Sequence, residues 1–269
     1  MPSARVQIDG ATALVTGATG GLGWAISRAL AERGAHVIAT ARREAELERL
    51  AGQIGGRAVV ADLAVRHDVD RLITEAADAD ILVANAGVPA TGRLADVTRG
   101  EIDRMLEINL RVPIILAKEL SEPMAARGRG HVVFISSLAG KAASPVSSLY
   151  SATKFGLRGF ALGVRQDLAR RGIGVSVITP TFIRDAGMFH ESGATLPAIA
   201  GGTKTPADVA AAVIRAIEEN RAELDVASPP LRVGVAIASL APGLAERAST
   251  RLGSHRVAND LAERHANRD

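Results

Sequence analysis

Short apolar runs alternate with longer amphipathic stretches from about residue 12 to residue 227. Thr12–Thr16, His36–Thr40, Arg57–Ala61, Ile81–Ala84, His131–Ser136, Gly174–Thr179 and Leu224–Ala227 are β-like runs that predict seven strands. Between them, apolar residues at helical spacing predict helices over Leu22–Arg33, Glu44–Ala51, Val65–Ala77, Val97–Arg127 and Leu149–Arg171. Gly34 is placed to end the first helix, and Pro113 marks a candidate kink in the fourth. Thr205-Pro206-Ala207-Asp208 has the form of an N-cap followed by proline at the first helical position, opening a helix to about Asn220.

Strands separated by helices need crossover connections, so the sheet is expected to be mostly parallel. The strand runs are continuously apolar rather than alternating, as in a sheet covered on both faces. The pattern therefore predicts a doubly wound, Rossmann-like α/β fold around a mostly parallel seven-stranded sheet. Nothing before about Ser228 reads as a linker. Beyond it the composition changes to an Ala/Pro/Gly-rich apolar piece and then a charged helical tail. Residues 1–228 are expected to form one domain, with residues 229–269 a short helical extension of it.

Composition narrows the class. With 47% hydrophobic and 23% charged residues, the 269-residue chain is too apolar for intrinsic disorder and long enough to bury its own core. It has no cysteine, which excludes disulfides and thiolate metal sites and fits a reducing, cytoplasmic compartment. The net charge is only +3, and the 28 Arg and 4 Lys are spread along the chain without a run of five or more like charges, so nucleic acid is not an expected partner. Met1–Gly10 lacks the apolar segment of a signal peptide. Val233–Ala245 is apolar but too short to span a bilayer, and Pro242 interrupts it.

The first strand runs into Thr16-Gly17-Ala18-Thr19-Gly20-Gly21-Leu22-Gly23 before the first helix. Glycines let the chain turn tightly and let backbone amides approach a pyrophosphate, while the helix N-terminus offers positive dipole to it. A glycine cluster alone also serves ordinary turns; its position after strand one favours a nucleotide. The spacing Thr-Gly-x-x-x-Gly-x-Gly differs from the G-x-G-x-x-G of the standard dinucleotide fold. Further along come Asn85-Ala86-Gly87 at the end of strand four, Asn109 in the long helix, Ser136-Ser137 at the end of strand five, and Tyr150-Ser-Ala-Thr-Lys154 thirteen residues beyond Ser137.

This order of motifs resembles the short-chain dehydrogenase/reductase family. The resemblance runs from about residue 12 to residue 227 and implies that residues 1–228 bind a dinucleotide and carry the chemistry. It departs from the family pattern in two places. Ala84 stands where the first Asn of an Asn-Asn-Ala-Gly element is usual. Pro180-Thr181 replaces Pro-Gly, with Asp185 near the position of a Thr that touches the carboxamide.

Tyr150 and Lys154 are four apart and share one helix face. A phenol ionises near pH ~10 in water, and a neighbouring ammonium and a cationic nicotinamide both favour its phenolate. Tyr150 is thus suited to be general acid in reduction and general base in oxidation. Ser137, at a strand's carboxyl end, is suited to donate to a substrate oxygen as alkoxide character develops. Elsewhere a Tyr/Lys pair on a helix is usually packing beside a snorkelling lysine. Here Tyr150 is the only tyrosine and Lys154 one of four lysines, so chance pairing carries less weight. The resemblance further implies that Lys154 holds the nicotinamide ribose and that Asn109 places a water linking Lys154 to solvent.

The expected cofactor contacts are Gly17, Thr19, Gly20, Gly21, Leu22 and Gly23 in the loop, with Asn85, Ala86 and Gly87, Tyr150 and Lys154, and Pro180 and Ile183. Asp62-Leu63 after strand three resembles an adenine contact. An NAD-preferring site puts a carboxylate at the end of strand two. This chain has Ala41 there, followed by Arg42 and Arg43, which favours NADP(H) over NAD(H) because guanidinium pairs with a 2′-phosphate. Phe182–Ala200 is expected to form a substrate lid, and with Val88, Leu138, Pro145 and Leu149 it suggests an apolar pocket.

The resulting expectation is an NADP(H)-dependent oxidoreductase, without metal, that interconverts a carbonyl and a secondary alcohol on an apolar small molecule. Family resemblance implies a homodimer or homotetramer packed through the long helices around Asn109 and Phe160. The alternatives are a non-catalytic dinucleotide sensor or scaffold, another reaction on the same fold such as epimerisation or dehydration, and a protein held at a membrane surface by its tail from Leu231 to Leu261.

Overall fold

The computed structural model describes residues 6–89, 93–143, 145–184 and 203–243. The seven strands are β1 (Thr12–Thr16), β2 (His36–Ala41), β3 (Arg57–Val60), β4 (Ile81–Ala84), β5 (Gly130–Ile135), β6 (Ile173–Pro180) and β7 (Glu223–Val226). They form one sheet in the order β3-β2-β1-β4-β5-β6-β7, and every pairing is parallel. Leu14 at the centre is in register with Ile38 on β2 and Leu82 on β4. The chain reverses its direction of travel between β3 and β4, which opens a crevice at the carboxyl ends of β1 and β4.

The strands look continuously apolar because each face has its own helical layer. Ala13, Val15, Ile81, Val83, Val133 and Ile135 pack with Ile26 and Leu30 of α1 (Gly21–Ala31), Leu47 and Leu50 of α2 (Glu44–Ile54), and Val209, Val213 and Ile217 of α7 (Pro206–Glu219). Leu14, Leu82, Val132 and Phe134 point the other way, towards α3 (Arg66–Glu75), α5 (Val112–Ala126) and α6 (Ser148–Ala169). Adjacent residues thus serve opposite apolar cores. The N-cap expected at Thr205 is a full capping box with Asp208, Pro206 sits in the first turn, and the helix ends on Asn220 at φ 49°.

The long helical region differs from its sequence reading. It starts two residues later, with a capping box between Thr98 and Glu101 opening α4 (Arg99–Leu106). A π-helical turn, Glu107–Arg111, then joins α4 to α5, and the amide of Val112 donates to the carbonyl of Glu107 five residues back. Pro113 has no N–H for the carbonyl of Asn109, so the winding loosens just before the proline instead of bending at it. Asn109 lies inside that turn.

Past β7, α8 (Pro229–Leu240) lays Leu231 and Val235 on Leu138, Ala142 and Ala227, a small apolar cluster of its own. Its opposite side exposes Val233, Ile237 and Leu240. No helix among the described residues is long and apolar enough to cross a membrane. The tail beyond residue 243 lies outside the described residues.

Candidate active site

All seven strands run the same way, so the turns after β1 to β6 meet at one edge of the sheet. The glycine loop is built by the absence of side chains. Gly17 adopts φ +65°, and a Cβ there would lie 2.9 Å from Ala86 Cα. A Cβ on Gly23 would lie 2.2 Å from the carbonyl oxygen of Gly17, so α1 can start only against a bare backbone. The amide of Ala18 donates to Thr40 on β2, and that of Gly20 to Gly17. α1 has no side-chain cap and no acid in its first turn, which leaves its amino end suited to an anion. A loop with forbidden Cβ positions leading into an uncapped helix fits a dinucleotide pyrophosphate.

Asn85, Ala86 and Gly87 pack directly against this loop. The hydroxyl oxygen of Thr16 accepts from the amides of both Asn85 and Ala86 at 3.0 Å, and Asn85 Nδ2 donates to the carbonyls of Thr16 at 2.9 Å and Gly17 at 3.3 Å. Asn85 therefore shapes the loop with its side chain. Ala84, where the family pattern has another Asn, is buried in the sheet.

Arg43 occupies the N-cap position of α2 without a side-chain cap; its Nη2 lies 3.4 Å from the carbonyl oxygen of Thr19 and 2.9 Å from Glu46. Arg42 is exposed beside it at the end of β2. Asp62 makes a tight turn, its Oδ1 accepting from Ala64 and its amide donating to Asp68. That amide holds the Asp68 carboxyl below the usual carboxylate range. Leu63 is buried in the core.

Ser137 follows β5 in extended conformation and opens a 3-10 turn, Leu138–Gly140, its Oγ accepting from the amide of Ala139 at 3.1 Å. Tyr150 and Lys154 project from α6, with Lys154 Nζ 5.6 Å from the Tyr150 ring centroid. Lys154 is 3% exposed; its ammonium donates to the carbonyl of Ile135 at 3.0 Å, and burial pulls it down to about 8. The half-buried Tyr150 departs from the sequence expectation of a lowered pKa. Burial pushes its phenol up to about 12, and the hydrogen bond with Ser137 opposes this only in part. Desolvation of a phenolate is the larger effect in the protein alone.

Asn109 is fully buried, and its carboxamide clasps the backbone of Val88: Oδ1 accepts from the amide at 2.7 Å and Nδ2 donates to the carbonyl at 2.9 Å. Nδ2 also lies 3.4 Å from Thr153 Oγ1. A Cβ on Gly87 would lie 3.3 Å from Asn109 Oδ1 and 3.7 Å from Lys154 Nζ, so Gly87 is the bare position between them. The side chain of Asn109 is thus committed to the strap after β4.

Two supporting residues escaped assignment from sequence. Ser136 Oγ donates to the carbonyl of Lys154 at 3.1 Å, and Gly140 leaves room for that contact. Thr153, inside the Tyr-x-x-x-Lys motif, is buried and donates to the carbonyl of Tyr150. Ser136 was visible as half of a Ser-Ser pair; nothing in the pattern singled out Thr153.

At the end of β6, Pro180 is buried and the amide of Thr181 donates to the carbonyl of Val226 on the last strand. Ile183 is buried and bridges to Lys204. The rest of the expected lid, including Asp185, Met188, Phe189, Leu196 and Ile199, lies outside the described residues. Leu138, expected in the pocket wall, is buried against Ala227 and Val235, where α8 covers the turn after Ser137. No group of three or more metal-ligating residues occurs among the described residues.

A family model described as short chain dehydrogenase matches residues 11–197. The chain is 34% identical over 245 residues to a ketoacyl reductase, HetN, of Nostoc sp., covering 88% of this chain and 85% of that protein. It is 34% identical over 181 residues to the 3-oxoacyl-[acyl-carrier-protein] reductase FabG of Rickettsia conorii, covering 66% of this chain and 75% of that one. A solved metagenomic short-chain oxidoreductase in complex with NADP shares the fold at TM-score 0.69 and 31% identity, over 83% of this chain and 99% of its own.

Proposed function

The chain belongs to the short-chain dehydrogenase/reductase family, and from that premise we propose that it is an NADP(H)-dependent reductase that turns the carbonyl of a largely apolar, 3-oxoacyl-like substrate into a secondary alcohol. The observation that carries the reading is the meeting of Ser137, Tyr150 and the buried Lys154 at the sheet edge that also holds the glycine loop. A dinucleotide would be held by the backbone of Gly17, Thr19, Gly20, Gly21, Leu22 and Gly23, with Asp62 and Leu63 towards the adenine. Asn85 to Gly87, Pro180 and Ile183 would lie towards the nicotinamide. When bound, that cofactor supplies hydride in reduction and accepts it in oxidation.

The proton is the protein's task. Tyr150 donates its phenolic proton to the carbonyl oxygen as that oxygen gains negative charge, and Ser137 steadies the same oxygen with a second hydrogen bond. The Lys154 ammonium favours the phenolate left behind, and a cationic ring nearby would favour it further, against the burial that holds Tyr150 neutral. NADP(H) preference rests on Ala41 in place of an acid and on the guanidinium of Arg43 beside Thr19. The acyl substrate class rests on the reductases named above. Leu106 and Phe155, 38% and 41% exposed on α4 and α6, are the apolar surface that a second copy would cover, and a homodimer or homotetramer in the cytoplasm completes the reading.

The test follows NADPH absorbance against 3-oxoacyl thioesters of increasing chain length and simple apolar ketones. Turnover is expected on the thioesters, faster with NADPH than with NADH. NADPH that binds but is consumed with no carbonyl would sink the catalytic reading and leave a dinucleotide sensor.

A further inference from the structure

Ser137 stands on a short turn, and something must fix that turn for its hydroxyl to meet both Tyr150 and a substrate. Four residues on, Lys141 turns inward and is 12% exposed. Its ammonium lies 2.5 Å from Asp225 Oδ1 and 3.2 Å from Glu223 Oε2. These carboxylates are two apart on β7, so they share one face of the strand and repel each other unless a cation sits with them.

The cluster reaches each element that carries a catalytic group. Asp225 also accepts from the hydroxyl of Thr179, the residue before Pro180 on β6. Glu223 takes a two-pronged ion pair from Arg158, at 2.6 and 3.0 Å, and Arg158 is one turn beyond Lys154 on α6. From α8, Ser239 Oγ donates to the carbonyl of Lys141 at 2.7 Å, and Arg232 lies 4.0 Å from Asp225. Surface ion pairs hold little, but this one is largely shielded, has several members and joins five elements.

We propose that Lys141 is a positioning residue of the active site: seated between Glu223 and Asp225, it fixes the turn that presents Ser137 and ties that turn to α6 and the end of β6. The proposal deepens the reading above, since it acts through the pairing of Ser137 with Tyr150. It also gives α8 a part in the site, as the cover that shields the cluster and packs on Leu138.

Tyr150 is the only tyrosine, so 3-fluorotyrosine incorporated throughout the chain reports that one phenol by fluorine NMR, without a substrate. The ring fluorine also brings its ionisation closer to neutrality. Ser137→Ala should raise the midpoint by about half a unit to one unit, the size of one lost hydrogen bond. Lys141→Met should raise it in the same direction by less, Asp225→Asn likewise, and Lys141→Arg should return it towards the wild-type value. With a carbonyl substrate, Lys141→Met should lower kcat about tenfold to a hundredfold, while Kd for NADPH changes by less than about twofold.

A wild-type midpoint and kcat in Lys141→Met would overturn the proposal, as would failure of arginine to restore them. So would an Asp225→Asn chain that folds and titrates as wild type, should Lys141→Met not fold. A wild-type chain inert on every carbonyl that still shows the graded midpoints overturns the proposed reaction and leaves the role of Lys141 standing.

Discussion

The two halves of the sheet solve different problems with different materials. From β1 to β4 the site edge is mostly backbone: glycines whose Cβ would clash and amides at a helix end, with the side chains of Thr16 and Asn85 clasping one turn against another. From β5 to β7 it is made of side chains: Ser137, Tyr150 and Lys154, backed by the ion cluster around Lys141. Phosphate recognition needs many weak donors at close approach, which side chains would obstruct. Proton transfer needs a few groups whose ionisation the surroundings control. The difference implies that substitutions in the two halves should separate binding from turnover.

The largest effect is expected in the second half. Tyr150→Phe keeps the ring and deletes the proton, so kcat should fall by about 10²–10⁴-fold with NADPH affinity almost unchanged. Wild-type kcat in that variant on a confirmed substrate would show that the proton comes from elsewhere.

The reverse pattern is expected in the first half. Gly23→Ala places a methyl 2.2 Å from the Gly17 carbonyl, so the loop must move or α1 must start later. Overpacking of this kind costs about 1–3 kcal/mol, and the NADPH affinity should fall by up to about a hundredfold. Unchanged affinity by calorimetry would mean that the loop does not hold the cofactor.

This division also explains what the sequence revealed. The backbone-built half was legible because glycine spacing records where Cβ cannot be, and the strands were legible because both faces are apolar. Ser137, Tyr150 and Lys154 were legible as motif residues, but their ionisation was not. The direction in which Tyr150 shifts depends on three-dimensional packing: burial raises its phenol and the hydrogen bond with Ser137 lowers it in part. The packing of Leu138 on α8 and the clasp of Asn109 on Val88 are contacts over long sequence separations that no local pattern encodes. The π turn before Pro113 was legible only as a proline likewise.

Cofactor choice sharpens the comparison further. If the first half reads phosphate, Arg42→Ala with Arg43→Ala should narrow the NADPH-over-NADH preference by about tenfold and leave kcat with saturating NADPH nearly intact. One charge-assisted contact contributes about 1.5 kcal/mol or more. Titrations showing NADH bound more tightly by the wild type would defeat the assignment.

A buried group in the second half must be kept apart from catalysis. His131, at the start of β5, is fully buried with Nε2 2.8 Å from Ser176 Oγ, and Gly174 leaves room for its ring. Burial, helped by the charge of Arg165, holds it neutral down to about 3. The unfolded chain takes up that proton below about 6.5, so this contribution is complete above that pH and is lost towards 3, by about 1.4 kcal/mol per unit. His131→Gln should flatten the fall in urea midpoint between neutral and mildly acid pH relative to wild type. An equal fall in both proteins would place the acid sensitivity elsewhere.

The smallest effect is optical, and it uses the same division. Trp24, the only tryptophan, lies in α1 one residue past Gly23, whereas the only tyrosine is the catalytic candidate in the other half. The indole packs against the first core cluster, with the Arg49 guanidinium 5.3 Å from its ring centroid, and its amide donates to Gly20 within the loop. A reduced nicotinamide absorbs where indole emits, so energy transfer reports proximity without requiring contact. NADPH should quench Trp24 saturably in the wild type and to the same extent, with the same midpoint, in Tyr150→Phe, because that substitution leaves the backbone-built half untouched. Gly23→Ala should move the midpoint to higher concentration, read as the fractional quench of that variant's own free-protein emission. After inner-filter correction, constant Trp24 emission through a saturation that calorimetry confirms would place the dinucleotide away from the glycine loop, and the contrast between the halves would lose its first term.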